Sequence, residues 1–257
     1  MTVNLEIRDD VAEVVLNRPD KMNALNDAMV REFNERIREA QKAHVRALFL
    51  RGEGPGFCAG RDLAEADPGN EDGERILKEI FNPVISRLFD FPAPTFAAVH
   101  GACLGVGLGL ALACDVVFVS EDVKIGSPFA RIGAVLDSGG HHFFLHRLGS
   151  HRALELIYAG RLMSGSEAAS IGLVNQCVPK AELVDKVRAL AIGTARGPTA
   201  AFMESKRILR KMEEGNLGFS EVLNLEAKAQ GAAGRTADYK EGISAFQQKR
   251  APKFVGK

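Results

Sequence analysis

The apolar positions of this chain change period as they run. Over 11–16 they form a near-continuous β-branched run that stops at Asn17-Arg18-Pro19, a turn signal. From Leu25 through Met29, Phe33, Ile37 and Ala40 they recur three or four apart, which describes one face of a helix. A second apolar run, 45–50, leads into Gly52, Gly54, Pro55 and Gly56, which open a loop. A mostly polar stretch over 64–73 then precedes a helix predicted from about Glu74 to Phe89. Further strands are predicted at 95–99, 116–119, 123–125 and 174–178. Between the last two fall a helix near Gly140 and another entered through Ser164-Gly165-Ser166-Glu167, which spells a capping box. From Lys180 onward only helical spacing is left, over 180–196, 199–212, 219–232 and 238–249. The pattern therefore predicts an α/β core over residues 1–197 and a helical region over 198–257, without internal repeats.

The uncharged stretch 91–114 is long enough to span a bilayer. Pro92 and Pro94 at its start, His100 within it, and Gly101, Gly105, Gly107 and Gly109 suit a buried strand followed by a buried helix instead. No membrane association is expected. With 257 residues the chain exceeds the usual domain size of roughly 150 and can bury a sizeable core without disulfides or metal. Lysine and arginine total 33 and so do aspartate and glutamate, so nucleic acid is not an expected partner. Cys58, Cys103, Cys114 and Cys177 lack CxxC spacing, and residues 1–10 include acidic side chains and no apolar leader run. Reduced thiols in a cytoplasmic protein are expected.

Three short constellations carry little chemistry. Asp137-Ser138-Gly139-Gly140 matches a serine-protease string, but that chemistry belongs to paired β-barrels and this pattern is half helical. His142 and His146 stand one helical turn apart, yet no glutamate follows His142 and no third metal ligand is positioned nearby; a solvated or packed pair accounts for them. Gly105-Val106-Gly107-Leu108-Gly109 approximates a dinucleotide loop, but its third glycine comes one residue early for G-x-G-x-x-G.

Those same glycines pose a physical question. Each costs roughly 1 kcal/mol against alanine inside a helix, so three at a helix start need compensation. Tight helix-on-sheet packing is one answer. The other is that free N–H groups at the helix start point at a carbonyl or anionic oxygen. A second such loop, Gly56-Phe57-Cys58-Ala59-Gly60-Arg61-Asp62-Leu63, also follows a predicted strand. One donor from each would make an oxyanion hole.

The ordered motifs Asn17-Arg18-Pro19 with Lys21 and Asn23-Ala24-Leu25, Phe57 to Leu63, His100 to Gly107, and Ala113-Cys114-Asp115 resemble the crotonase (enoyl-CoA hydratase/isomerase) superfamily. The tail from Gly234 to Lys257 is similar to family tails as well, so the likeness spans essentially the whole chain. It implies an α/β fold, a crotonase-type spiral of ββα units with a C-terminal helical trimerisation region, assembled as a homotrimer or homohexamer. It implies acyl-CoA substrates, with coenzyme A present as part of the thioester and no tightly bound cofactor or metal. By position, the thioester oxygen would accept hydrogen bonds from the Arg61 and Val106 amides. Ala59, Gly60, Asp62 and Leu63 would line the coenzyme, Lys21 would lie near its phosphates, and Phe246 and Lys249 would reach a neighbouring subunit's coenzyme A. For Lys21 and Lys249 an ordinary solvated face is the competing reading.

Departures from the family pattern narrow the chemistry. The two glutamates with which family hydratases activate water correspond here to Gly109 and Phe129, neither of which can act as acid or base. Asp137 instead falls where double-bond isomerases of the superfamily place a catalytic aspartate; the competing reading is an N-cap for the helix near Gly139. Phe129-Ala130-Arg131-Ile132-Gly133, Asp137-Ser138-Gly139 and the tail resemble phenylacetate-pathway isomerases, which act on epoxide-bearing ring acyl-CoAs and unsaturated acyl-CoAs. Phe57, Phe81, Phe129, Phe143 and Phe144 would suit an apolar acyl pocket or plain core. The reading is an acyl-CoA isomerase using Asp137, with a hydratase working through Asp137 alone and a non-catalytic acyl-CoA binder as alternatives.

Overall fold

A computed structural model of the chain describes residues 1–67 and 69–257; Pro68, within the stretch expected to be polar loop, lies outside the described residues. The strands in chain order are β1 (Val3–Arg8), β2 (Val11–Leu16), β3 (Ala47–Gly52), β4 (Thr95–Val99), β5 (Ala102–Leu104), β6 (Val116–Ser120), β7 (Lys124–Gly126) and β8 (Gln176–Val178). Six make one sheet in the order β1-β2-β3-β4-β6-β8, in which only the β1–β2 pair is antiparallel. β5 and β7 pair in a second, smaller sheet. Isolated bridges extend that second layer, Cys58 to Cys103 on one side and Ile125 to Met163 on the other. Each turn of the spiral thus lays down one strand in the large sheet and a short strand or bridge in the small layer before the chain moves into a helix.

The helices are α1 (Asp27–Lys42), α2 (Gly73–Ile76), α3 (Asn82–Phe89), α4 (Val106–Ala113), α5 (Gly140–Ala159), α6 (Gly165–Ser170), α7 (Lys180–Ala195), α8 (Thr199–Glu214), α9 (Phe219–Ala233) and α10 (Ala237–Gln247). The segment expected as one helix from Glu74 is α2, a π turn at Leu77–Phe81 and α3 in succession. The strand expected at 45–50 lies two residues later, because its parallel register with β2 runs from Val11↔Ala47 to Leu16↔Gly52. Arg46 is left outside it and binds the Gly197 carbonyl (2.5 Å) and the Thr199 hydroxyl (3.1 Å). β1, an edge strand largely exposed, and three-residue β5 escaped the hydrophobic pattern because neither buries a full face. Ser164 caps α6 as expected, accepting from Glu167 N at 3.2 Å. The Glu167 carboxylate, however, binds Arg161 at 2.6 Å, so that half of the capping box is spent on an ion pair.

Period-two alternation divides the sheet's side chains between two cores. Leu48, Leu50, Ala97, Val99, Val117 and Val119 face one core with α1, α3 and α4, and Ala47, Phe49, Phe96 and Ala98 face the other. α7 closes that second face with Leu183, Val187, Ala191 and Ala195, four positions spaced one turn apart. α4 is buried all round, Val106 to Ala113, which explains its uncharged sequence. Among the described residues no helix is long and apolar enough to cross a membrane. α8 is pinned to the core by Lys206, whose ammonium donates to Asp115 (2.8 Å) and to the Phe91 carbonyl (3.1 Å).

Candidate active site

Two backbone amides are brought together by register. Cys58 and Cys103 form a parallel bridge, with Cys58 N donating to Ala102 O (2.9 Å) and Leu104 N to Cys58 O (3.0 Å). Arg61 lies three residues past Cys58 and Val106 three past Cys103, so the two segments run side by side to the same end. Gly60 marks the closeness: a Cβ there would sit 2.9 Å from Leu104 O. A second parallel bridge, Leu25 to Arg61, orients the first amide. Leu25 donates to Gly60 O (2.7 Å) and accepts from Asp62 N (2.9 Å), so the Arg61 N–H points away from Leu25. The second amide is oriented by Gly105, whose φ of 53° with ψ of −122° is backbone that only glycine adopts without strain. It leaves Val106 at the first turn of α4, where the N–H has no intrahelical acceptor.

Both residues line a cavity of about 710 Å³ that also takes in Ala59, Gly60, Leu63, Leu77, Phe81, Phe129, Ile132, Val135 and Asp137. Its walls are mostly apolar, and the charged side chains among its lining are Arg61, Glu74 and Asp137. Glu74 is an exposed partner of Lys78 on the next turn. Arg61 is held by Glu71 through both guanidinium nitrogens, Nη1 at 2.9 Å from Oε2, and that carboxylate keeps the guanidinium firmly protonated. Asp137 is the half-buried acid. Burial pushes its pKa above the ordinary 3.8, opposed by a hydrogen bond from Ser138 Oγ to Oδ1 (2.8 Å) and by the charge of Arg61.

The structure corrects one expectation for Asp137. α5 has Gly139 as its N-cap with no side-chain cap, and Asp137 meets the helix only through its carbonyl, which accepts from Gly140 N at 2.8 Å. Its carboxylate is free of a capping role. Gly109 and Phe129, the two positions that the resemblance matches to the hydratase glutamates, differ in character. Gly109 backs onto Ser138 so tightly that a Cβ would sit 2.5 Å from Ser138 Cβ and 2.6 Å from its carbonyl oxygen. Phe129 stands over the loop that leads into α4, its ring edge 3.5 Å from where a Cβ on Gly105 would be. Of the other phenylalanines singled out, Phe81 lines the cavity and Phe57, Phe143 and Phe144 are core.

Ala59, Gly60 and Leu63 share the cavity with Arg61, Val106 and Asp137. Asp62 turns away: its carboxylate accepts from Arg18 Nη1 (2.7 Å) and caps the turn at Leu63–Glu65 through Ala64 N (3.1 Å). Lys21 ends the turn Pro19–Lys21 and is exposed. Phe246, at 85% exposure the most open phenylalanine, and Lys249 lie at the end of α10, outside the cavity lining. The His142 and His146 rings pack with centroids 4.4 Å apart and planes tilted 50° to each other, and no group of metal ligands occurs among the described residues. The four cysteines are unpaired, and burial pushes the Cys58 thiol up to about 12, so no thiolate is available there. Ser138 and Glu71 are the polar neighbours that sequence reading did not assign. Adjacency to Asp137 was the available signal for Ser138; nothing local marks Glu71.

The profile of the enoyl-CoA hydratase/isomerase family matches residues 6–257. A Rhodobacter capsulatus protein named "Probable enoyl-CoA hydratase" is 36% identical over 256 residues, covering 100% of this chain and 98% of that protein. The 1,2-epoxyphenylacetyl-CoA isomerase of Escherichia coli is 34% identical, covering 98% of this chain and 97% of the relative. Among solved structures, enoyl-CoA hydratase from Bacillus anthracis superposes with a TM-score of 0.92 at 28% identity, covering 100% of both chains.

Proposed function

This chain belongs to the enoyl-CoA hydratase/isomerase family, and from that membership we propose that it acts on acyl-CoA thioesters as an isomerase that shifts a double bond through an enolate. The observation that carries the reading is the content of one cavity: two backbone donors in register, one half-buried aspartate, and a phenylalanine, Phe129, at one of the two positions that the family pattern matches to the hydratase glutamates. The thioester oxygen would accept from the Arg61 and Val106 amides. Asp137 removes the C2 proton of a 3-enoyl-CoA, the electron pair passes into the thioester carbonyl, and the oxyanion is stabilised by the two donors. The same proton then returns from Asp137 to C4, leaving a 2-enoyl-CoA and the carboxylate restored. Desolvation of Asp137 by the acyl chain raises its basicity toward what proton abstraction needs.

The apolar walls favour an apolar or ring-bearing acyl group, and the same base and oxyanion donors would serve the opening of a ring epoxide. Coenzyme A enters as part of the substrate, and no other cofactor is proposed. The same reading takes the chain to assemble as a homotrimer or homohexamer, in which the exposed Phe246 and Lys249 would reach a neighbour's coenzyme A.

The test incubates the protein with a 3-enoyl-CoA in deuterated water, following double-bond position and deuterium uptake by NMR and mass spectrometry. Conversion to the 2-enoyl-CoA, lost in Asp137→Asn with acyl-CoA affinity kept within a few-fold, is the expected result. A 3-hydroxyacyl-CoA formed from the 2-enoyl thioester would make the protein a hydratase, and wild-type rates in Asp137→Asn would dismiss the proposed base.

A further inference from the structure

Asp137 is followed by a residue in an uncomfortable conformation. Ser138 has φ of 53° and Gly139 has φ of 79° with ψ of 3°, while Gly140 N donates to Asp137 O at 2.8 Å. Two central residues with positive φ closed by that hydrogen bond make a turn of the type I′ kind. Glycine and asparagine favour its first central position; serine there is strained. The strain is retained inside the fold, since Ser138 is buried and its Cβ and carbonyl oxygen press against the Gly109 backbone. That contact determines where the side chain can go, and its hydroxyl donates to Asp137 Oδ1 at 2.8 Å.

We infer that Ser138 is a positioning residue: its hydroxyl, aimed by the strained turn and the wall of α4, occupies Oδ1 of Asp137 and leaves Oδ2 as the atom that carries the proton between substrate carbons. This rests on the reading of Asp137 as the base. A side chain kept in a strained backbone state beside the proposed reacting group, where glycine would fit without strain, is accounted for by what its hydroxyl does there. The charged groups sharing the cavity are Arg61 from the loop after β3, already paired with Glu71, and Glu74 from α2, paired with Lys78. Val106 of α4 and Gly105 before it, and Phe129 and Ile132 of the turn Phe129–Ile132, are not ionisable. Among the described residues, Ser138 is the one hydroxyl donor to this carboxylate.

The experiment compares Ser138→Ala, which keeps the Cβ contact, and Ser138→Gly, which relieves the turn, with wild type and Asp137→Asn. It reads the pH profile of kcat/KM for 3-enoyl-CoA isomerisation and, without substrate, the ¹³C-carboxyl NMR titration of Asp137, assigned by its disappearance in Asp137→Asn. Loss of a hydrogen bond to the ionised form raises a carboxyl pKa, so the acidic limb and the NMR midpoint should both move up by about one pH unit in both variants. Below the limb this reads as a roughly tenfold loss, with the high-pH plateau changed only a few-fold. Ser138→Gly should melt no lower than Ser138→Ala, which separates the hydroxyl from the turn. An NMR midpoint unmoved in both variants overturns the inference. Should Asp137→Asn keep wild-type turnover while the NMR midpoint still moves, the assignment of the base fails and the hydrogen bond stands.

Discussion

Asp115 and Asp137 are the same side chain put to opposite uses. Asp115 accepts from Thr95 N (2.9 Å), Thr95 Oγ1 (3.0 Å), Lys206 Nζ (2.8 Å) and Arg210 Nη2 (3.2 Å), donors drawn from β4 and α8. Among the described residues, Asp137 accepts one hydrogen bond, from the residue next to it, and otherwise lines an apolar cavity. A carboxylate saturated by four donors is a fixed anion that ties a helix to a sheet, and its lone pairs are committed. One with a single donor, half-buried in an apolar cavity, keeps lone pairs for a proton. The difference lies in which neighbours the fold supplies.

The largest expected effect attacks the open carboxylate. Asp137→Asn keeps shape and removes the base, so turnover should drop by about 10² to 10⁴-fold in the 3-enoyl-CoA assay with little change in thermal midpoint. Asp115→Asn should do the reverse. It leaves Lys206 and Arg210 without their common partner, for a loss on the order of 3 kcal/mol in denaturant unfolding, with activity per folded molecule retained. Equal activity losses in the two variants would erase the distinction. Gly109→Ala drives a Cβ onto Ser138 and should cost about 1 to 3 kcal/mol. For the same reason, Gly109→Glu combined with Phe129→Glu should not create a working hydratase: no 3-hydroxyacyl-CoA should form from a 2-enoyl-CoA.

The smallest effect is in pH dependence. Burial raises the folded pKa of Asp137 above 3.8, so the native state holds its proton more tightly than the unfolded chain does. Stability contributed there is lost as pH rises from 3.8 through the folded value, leaving a standing cost at neutral pH. Asp137→Asn should therefore melt slightly higher than wild type at pH 7, with the gap closing below about pH 3.8, as read by calorimetry across pH. A gap that stays constant would mean that Asp137 is not desolvated.

Much of the scaffold was legible because it repeats a local physical signal. α1 could be read from Met29, Phe33, Ile37 and Ala40, and α7 is another run with one apolar residue per turn, since a one-sided helix shows its buried stripe in its own spacing. The buried strands β2, β4 and β6 announced themselves as short apolar runs, whereas β1 and β5 did not, being exposed or too short to carry a pattern. In the site, the glycine-bearing loops and the motif likeness pointed to Arg61, Val106 and Asp137 before any coordinates. Glu71 was invisible, because its partnership with Arg61 depends on a loop path that no local spacing encodes.

What the sequence determined by itself was the identity of the groups available: glycines where backbone must come close, an aspartate at 137, no carboxylate at 109 or 129, and an alternation of periods that selects α/β layering. Only the tertiary structure decided what those groups could do. The parallel bridge of Cys58 with Cys103 brings Arg61 and Val106 side by side, and the contact of Ser138 with Gly109 sends a hydroxyl to Oδ1 of Asp137. It also decided that Asp115 is filled while Asp137 stays open. The physical reason is that residue type and short-range spacing govern local conformation, whereas basicity and donor geometry depend on groups far apart in the chain, which meet only when the spiral closes.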